Sequence, residues 1–324
     1  MNNNRSKMRG SISLLVIAGL VTTALAGSYF YLDRQADSHA TSTMISLVDE
    51  AQSQGVALSY ASVDASPLTQ TVEITDFSII GNEQEADIHL GNVVMTGFDW
   101  QDLNDNQNQL PQEMSINIKK GELHIKKSMV ETSTILQSLV RIFGDTIPFS
   151  TKVSYEYDPT QKLLKFSLTQ TVEDNFFFDS DAILGNMDWL TTIERQQTQM
   201  PAQAMSEAIN STLNSLSITY KNTGLIEKIR ADISEQTGKT NEQLTQESIS
   251  QLKELQITAA QHWGPVFTPF IDEMIKFTSD PKKLKLDISP VQPLTGQDFM
   301  MAFMGGETSL IKLIDDAQIR LNAN

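Results

Sequence analysis

The chain has 324 residues, with 24 Lys and Arg against 40 Asp and Glu, a net charge of −16 and no cysteine. The lack of thiols excludes disulfides, thiolate catalysis, iron–sulfur clusters, cysteine-based zinc sites and a lipid on an N-terminal cysteine. Every acidic residue follows residue 32, where 21 basic residues face 40 acids, a net −19 that repels nucleic acid and anionic headgroups.

Ser11 to Leu32 (SISLLVIAGLVTTALAGSYFYL) is a run of 22 uncharged residues behind Arg5, Lys7 and Arg9. About twenty apolar residues in helix cross a hydrocarbon core of about 30 Å. Leu14, Leu15, Val16, Ile17 and Leu20 belong to the body of such an anchor. Tyr29, Phe30 and Tyr31 stand at its exit, where amphipathic rings favour the headgroup layer. The basic flank keeps residues 1–10 in the cytoplasm and exports the rest. A cleaved signal peptide is the alternative, since Ala24-Leu25-Ala26 has the small-x-small form of a cleavage site. Against it, Gly27 to Leu32 extend the run to full spanning length. A large exported chain without disulfides points to the bacterial periplasm, with residues 1–32 as cytoplasmic tail and inner-membrane anchor.

Residues 33–55 follow as a helical stalk, with Met44, Ile45, Leu47, Val48 and Ala51 at helical spacing. Residues 56–192 are β-rich. Val56, Leu58 and Tyr60 alternate, then Val72 and Ile74, then Phe77 and Ile79, around a turn at Ser66-Pro67-Leu68-Thr69. Ile88 and Leu90, then Val93 and Met95, predict a strand broken at Gly91-Asn92. Leu103 to Pro111 is a polar loop. Met114, Ile116 and Ile118 alternate before Lys120-Gly121, and Leu123 and Ile125 after it, which reads as a hairpin. Helical spacing runs from Met129 to Phe143, closed by Gly144 and Pro148. Val153, Tyr155 and Tyr157 then face Leu164, Phe166 and Leu168 across Asp158-Pro159-Thr160-Gln161. Phe176-Phe177-Phe178 and Asp188-Trp189-Leu190 read as an aromatic-rich connection.

Residues 193–324 are helical and then β. Ile193 to Ala202 is a Gln-rich linker. Leu225, Ile226, Ile229 and Ile233 have helical spacing, as do Leu244, Ile249, Leu252, Leu255 and Ala259 beyond Gly238-Lys239-Thr240. Val266 to Phe277 is a third amphipathic segment. Leu284 to Ile288 is a strand, followed by a Pro-bounded turn, the Met-rich FMMAFM and a strand-like piece from Ala317 to Leu321. The expected fold is α+β: an N-terminal transmembrane helix, then a largely antiparallel sheet or groove with a helical insertion.

Two stretches carry a resemblance. The course GVALSYASVDASPLTQTVEITDFSIIG, continued by IHLGNVVMTGFDW, resembles the membrane-proximal strands of AsmA-like bacterial inner-membrane proteins. The course SLSITYKNTGLIEKI, with TGKTNEQL and then PKKLKLDISPVQPLT, is similar to a pattern in YdgA-like periplasmic proteins. Together they touch under half of the chain. The resemblance implies an anchored periplasmic β-groove with a lipid or envelope role.

Chemical motifs do not add to this. His39, His89, His124 and His262 are scattered, so HExxH and HxH zinc spacings are absent, and no metal or other cofactor is expected. Ser-x-x-K occurs at Ser250, Ser279 and Ser309 without the companion elements of a serine hydrolase. Gly305-Gly306 precedes Glu307, which is no phosphate loop. Asp102, Asn104, Asp105 and Asn106 lack the glycine and terminal Glu of a calcium loop. Apolar surface remains. Phe299, Met300, Met301, Phe303 and Met304 form a soft cluster, and Trp263, Phe267 and Phe270 an aromatic one; each packs as core or contacts an apolar ligand or partner. The expectation is a non-enzymatic protein binding a lipid or other apolar ligand in a β-groove. The alternative is an envelope assembly or scaffold factor that docks on another envelope protein through its helical region.

Overall fold

The computed structural model describes residues 56–66, 69–81, 86–97, 111–189 and 209–324, and in addition Thr41, Met44, Ile45, Val48, Asp49, Ala51 and Gln52. The candidate anchor (11–32), the polar loop at 103–110 and the Gln-rich stretch 193–202 lie outside these residues. Among the described residues no helix is long and apolar enough to cross a membrane. The fold is α+β, a large antiparallel sheet with helices. The chain divides into two compact units, Met1–Val153 and Ser154–Asn324.

In the first unit the described stalk residues are helical, with Met44 buried, Val48 and Ala51 half-buried and Ile45 exposed. The strands are β1 (Ala57–Ser59), β2 (Ser62–Ser66), β3 (Thr71–Ile80), β4 (Asp87–Thr96), β5 (Glu113–His124) and β6 (Thr146–Asp158), which continues into the second unit. Their order is β1-β3-β4-β5-β6, and β2 also lies along β3. One face is sealed: Val72, Ile74, Leu90, Val93, Met95, Ile116 and Ile118 are each at most 2% exposed.

The apolar alternation slips by one residue at the same level in three neighbouring strands. Inward residues run Ile74 then Phe77, Leu90 then Val93, and Ile118 then Gly121. The outward pairs between them, Thr75-Asp76, Gly91-Asn92 and Lys119-Lys120, stand side by side, because Thr75 faces Asn92 and Asn92 faces Lys119. Asp76 and Lys120 take positive φ of 52° and 56°, which turns the backbone over without ending the strand. The expected break at Gly91-Asn92 and hairpin at Lys120-Gly121 are therefore points inside continuous strands. Between β5 and β6 the expected helix is split into α1 (Lys127–Thr132) and α2 (Thr134–Phe143). Ser133 is extended there, and its hydroxyl accepts from the Leu136 N–H as the cap of α2.

The second unit holds β7 (Leu163–Val172), β8 (Phe176–Gly185), β9 (Thr212–Asn222), β10 (Lys283–Ile288), β11 (Leu294–Thr295) and β12 (Arg320–Ala323). Their order is β7-β8-β9-β10-β12, with β11 also on β9. The β6–β7 turn forms as expected; Asp158 Oδ1 accepts from the Thr160 and Gln161 N–H groups. Phe176 to Phe178 open the strand β8 and are not a connection.

Three helices separate β9 from β10: α3 (Leu225–Thr237), α4 (Asn241–Trp263) and, after a 3-10 turn at Gly264–Phe267, α5 (Thr268–Ser279). Gly238 in the left-handed region ends α3, and a capping box of Thr240 with Gln243 starts α4. α5 packs on β12, and α4 packs on α5. The seam of α4 runs through Ile249, Leu252, Gln256, Ala259 and Trp263. Leu255, expected on that face, is half exposed, and neighbouring Ile257 more so. α6 (Gly296–Met304) and α7 (Glu307–Ala317) pack together between β11 and β12, and α7 was not among the expected helices.

Candidate functional site

Along β8 the even-numbered residues Phe176, Phe178, Ser180, Ala182 and Leu184 share one face. Register assigns their neighbours. On β7, Leu168 faces Ser180, Phe166 faces Ala182 and Leu164 faces Leu184. On β9, Tyr220 faces Phe178, Ile218 faces Ser180 and Leu216 faces Ala182. β10 adds Leu284, Leu286 and Ile288 opposite Tyr220, Ile218 and Leu216. None of these side chains carries a charge. The opposite face of the same strands is polar and internally paired: Thr169 donates to Asp179, Ser217 donates to Asp287, and Lys285 lies 2.8 Å from Asp287. The hydrogen bonds from Lys285 and Ser217 hold the Asp287 carboxyl below its ordinary range. Phe177 belongs to this polar face, with the Lys221 ammonium 4.9 Å from its ring centre.

The apolar face of these central strands is half-buried, whereas the polar face carries the exposed Lys165 and Asp181. From Leu164 to Leu168, Phe176 to Leu184 and Leu216 to Tyr220, no residue of either face is buried, and Phe166 reaches 36% exposure. Among the described residues, cover is given at two ends. At one, Phe277 of α5 meets the Tyr220 ring edge-on at 6.0 Å, and Phe176 stacks on Tyr220 at 6.0 Å. The Tyr220 hydroxyl is buried there with no hydrogen-bond partner among the described residues, and burial, then Glu227, raises its pKa. At the other end Leu294 of β11 is buried opposite Leu213.

The expected contact residues fall into two groups outside this face. Trp263, Phe267 and Phe270 come together at the bend between α4 and α5, with ring centres 5.3 and 6.3 Å apart. On α6, Ala302 is the buried residue and Phe299 is half-buried. Met300, Met301 and Met304 point outward, 55%, 54% and 83% exposed. Phe303 lies in this helix, its side chain outside the described set. The sequence reading missed Ser180 and Ala182. Their signal was the alternation Phe178-Asp179-Ser180-Asp181-Ala182, hidden behind three consecutive phenylalanines.

Three histidines and two of the Ser-x-x-K serines have structural partners. His89 Nδ1 lies 2.9 Å from the Ser78 hydroxyl, and His124 Nδ1 lies 2.9 Å from that of Thr146, both on outward positions. His262 ends α4, with Nδ1 2.9 Å from the Thr258 carbonyl. Ser279 and Ser309 donate to carbonyls of Ile275 and Gly305. Among the described residues no three His, Asp or Glu side chains are placed to hold a metal ion.

A family model described only as "Uncharacterized protein" matches residues 169–324, from within β7 through β12. An uncharacterized protein of Aquifex aeolicus (strain VF5) is 24% identical over 319 residues, covering 95% of this chain and 97% of its own length.

Proposed function

We propose that the protein is a non-enzymatic, inner-membrane-anchored periplasmic protein that binds a lipid or other apolar ligand on the open sheet face of its second unit. One observation carries the reading: on β7–β9 a contiguous row of uncharged Leu, Ile and Phe side chains is only half-buried, and Phe166 reaches 36% exposure. Large apolar side chains left partly accessible in a contiguous row mark a place where an apolar ligand gains contact. The uncharged run at 11–32 and the resemblance to AsmA-like and YdgA-like proteins support the anchor and the envelope setting. The test is native mass spectrometry of the full chain released from detergent, with lipid extraction in parallel. A stoichiometric adduct of lipid mass supports the reading, and a bare polypeptide mass with an empty extract overturns it.

A second reading has its own observation. Leu255 and Ile257 on α4, and Met300, Met301 and Met304 on α6, are at least half exposed. Such side chains suit docking on another envelope protein, since methionine adapts to irregular partners. Photo-crosslinking from position 257 or 304 in intact cells is expected to capture a discrete protein under this reading, and no adduct counts against it.

A further inference from the structure

Methionine is placed in two different ways in this molecule. Met44, Met95, Met114 and Met187 are buried, and Met129 and Met274 are half-buried. Among the described residues the exposed methionines are Met300, Met301 and Met304, all in the closing part of α6. Met304 follows Met301 by three residues and Met300 by four, so it neighbours both on the helix surface, with Cβ atoms about 5–6 Å apart. Each side chain is unbranched and turns about three bonds, so the sulfurs can swing toward a common point above Met304. Packing of α6 falls instead to Ala302, which is buried, and Phe299, which is half-buried. What this turn presents to solvent is thioether sulfur.

The surroundings suit a cation. Gly305 and Gly306 follow Met304, both exposed, and have no side chains to lie over the sulfurs. The Gly305 N–H donates to the Met301 carbonyl at 2.8 Å, which fixes the end of the helix. The last turn of a helix carries partial negative charge and favours a positive ion. From Leu286 to Ile311 the sequence has no Lys or Arg, in a chain of net −16. The next basic residue, Lys312, acts on Asp298 at the opposite end of α6. Thioether is a soft, neutral donor that selects Cu(I), whereas Zn(II) takes imidazole and thiolate, and Ca(II) and Mg(II) take oxygen. We propose that Met300, Met301 and Met304 form a three-thioether site for one Cu(I) ion on the last turn of α6. The site is independent of the ligand reading of the sheet. It also asks more of α6 than docking does, since leucine would serve an apolar contact equally and only sulfur serves this ion.

The test uses the full chain in detergent, kept free of oxygen, with Cu(I) supplied as its acetonitrile complex and bound ions counted by native mass spectrometry. One Cu(I) per chain is expected, and X-ray absorption at the copper edge is expected to show sulfur neighbours. Leucine is close to methionine in volume, so Met300→Leu, Met301→Leu and Met304→Leu keep the helix surface and remove only the donor. Each is expected to weaken Cu(I) binding by about tenfold or more, with thermal melting unchanged, and the triple variant to abolish it. Met274→Leu is expected to leave binding as it was. Ag(I), the redox-inert soft cation, is expected to displace Cu(I), and equimolar Zn(II) to leave it in place. No Cu(I) on the unaltered chain, or equal Cu(I) on the triple variant, overturns the proposal. A copper shell of nitrogen and oxygen alone overturns it as well.

Discussion

Gly121 is a position where one methyl group is too much. A Cβ built there falls 2.6 Å from two ring carbons of Phe149, on a strand whose inward neighbours Ile118 and Leu123 are buried. Gly121→Ala must push the ring aside, and overpacking of this kind costs about 1–3 kcal/mol. Urea unfolding monitored by circular dichroism checks this. Combining the change with Phe149→Leu is expected to recover part of the loss, and strict additivity would show that the ring is not the obstacle. The same residue explains a misreading. Lys120-Gly121 looks like a turn because the apolar alternation changes phase across it. A one-residue slip inside a strand leaves the same trace, and only its alignment with Asp76 and Gly91, distant in sequence, tells the two apart.

Elements with local signals were readable, and those defined by their partners were not. α3 and α4 announce themselves by periodicity, a left-handed glycine and a capping box, all within a few residues. β8 is defined by β7 and β9, and its three phenylalanines mask the period of two. The edge of β12 is also a matter of partners. Asn324 donates to the Lys283 carbonyl of β10, whereas the Ala323 N–H turns away from β10 and donates to Glu273 Oε2 of α5 at 2.8 Å. Glu273 also accepts from Lys276, and these two hydrogen bonds, Lys276 first, lower its pKa. A lowered carboxyl pKa contributes stability that is present above the ordinary glutamate value, about 4.3, and is lost as pH falls through the lowered one. Glu273→Gln is thus expected to melt below the unaltered protein at pH 7, with the gap closing as pH falls below the ordinary glutamate value. Parallel melting curves across that range would show that the carboxylate contributes nothing. Glu273→Ala, which removes the acceptor of the Ala323 N–H, frees an edge amide, so self-association of that variant at pH 7 is expected to rise, read by light scattering.

At the scale of the molecule, the two units use their sheets differently. The sequence reading expected a β-groove without saying which strands form it. Alternation marks an apolar face in β3–β5 and in β7–β9 alike, and cannot tell a face that is covered from one that is not. In the first unit that face is sealed, with Leu90 and Val93 at 0% exposure; in the second the corresponding side chains are half-buried, and Phe166 is 36% exposed. Backbone hydrogen bonds beneath a sealed face break only in large openings, whereas those beneath an open face can break locally. Amide hydrogen exchange followed by mass spectrometry is therefore expected to be at least about tenfold slower in β3–β5 than in β7 and β8 of the lipid-free full chain. Adding a neutral phospholipid should slow exchange in β7–β9 and leave β3–β5 unchanged. Protection spread evenly over both units would place the lipid effect on global stability and not on the open face. Protection gained on α4 and α6 alone would move the contact to Ile257 and the exposed methionines, and so favour the docking reading.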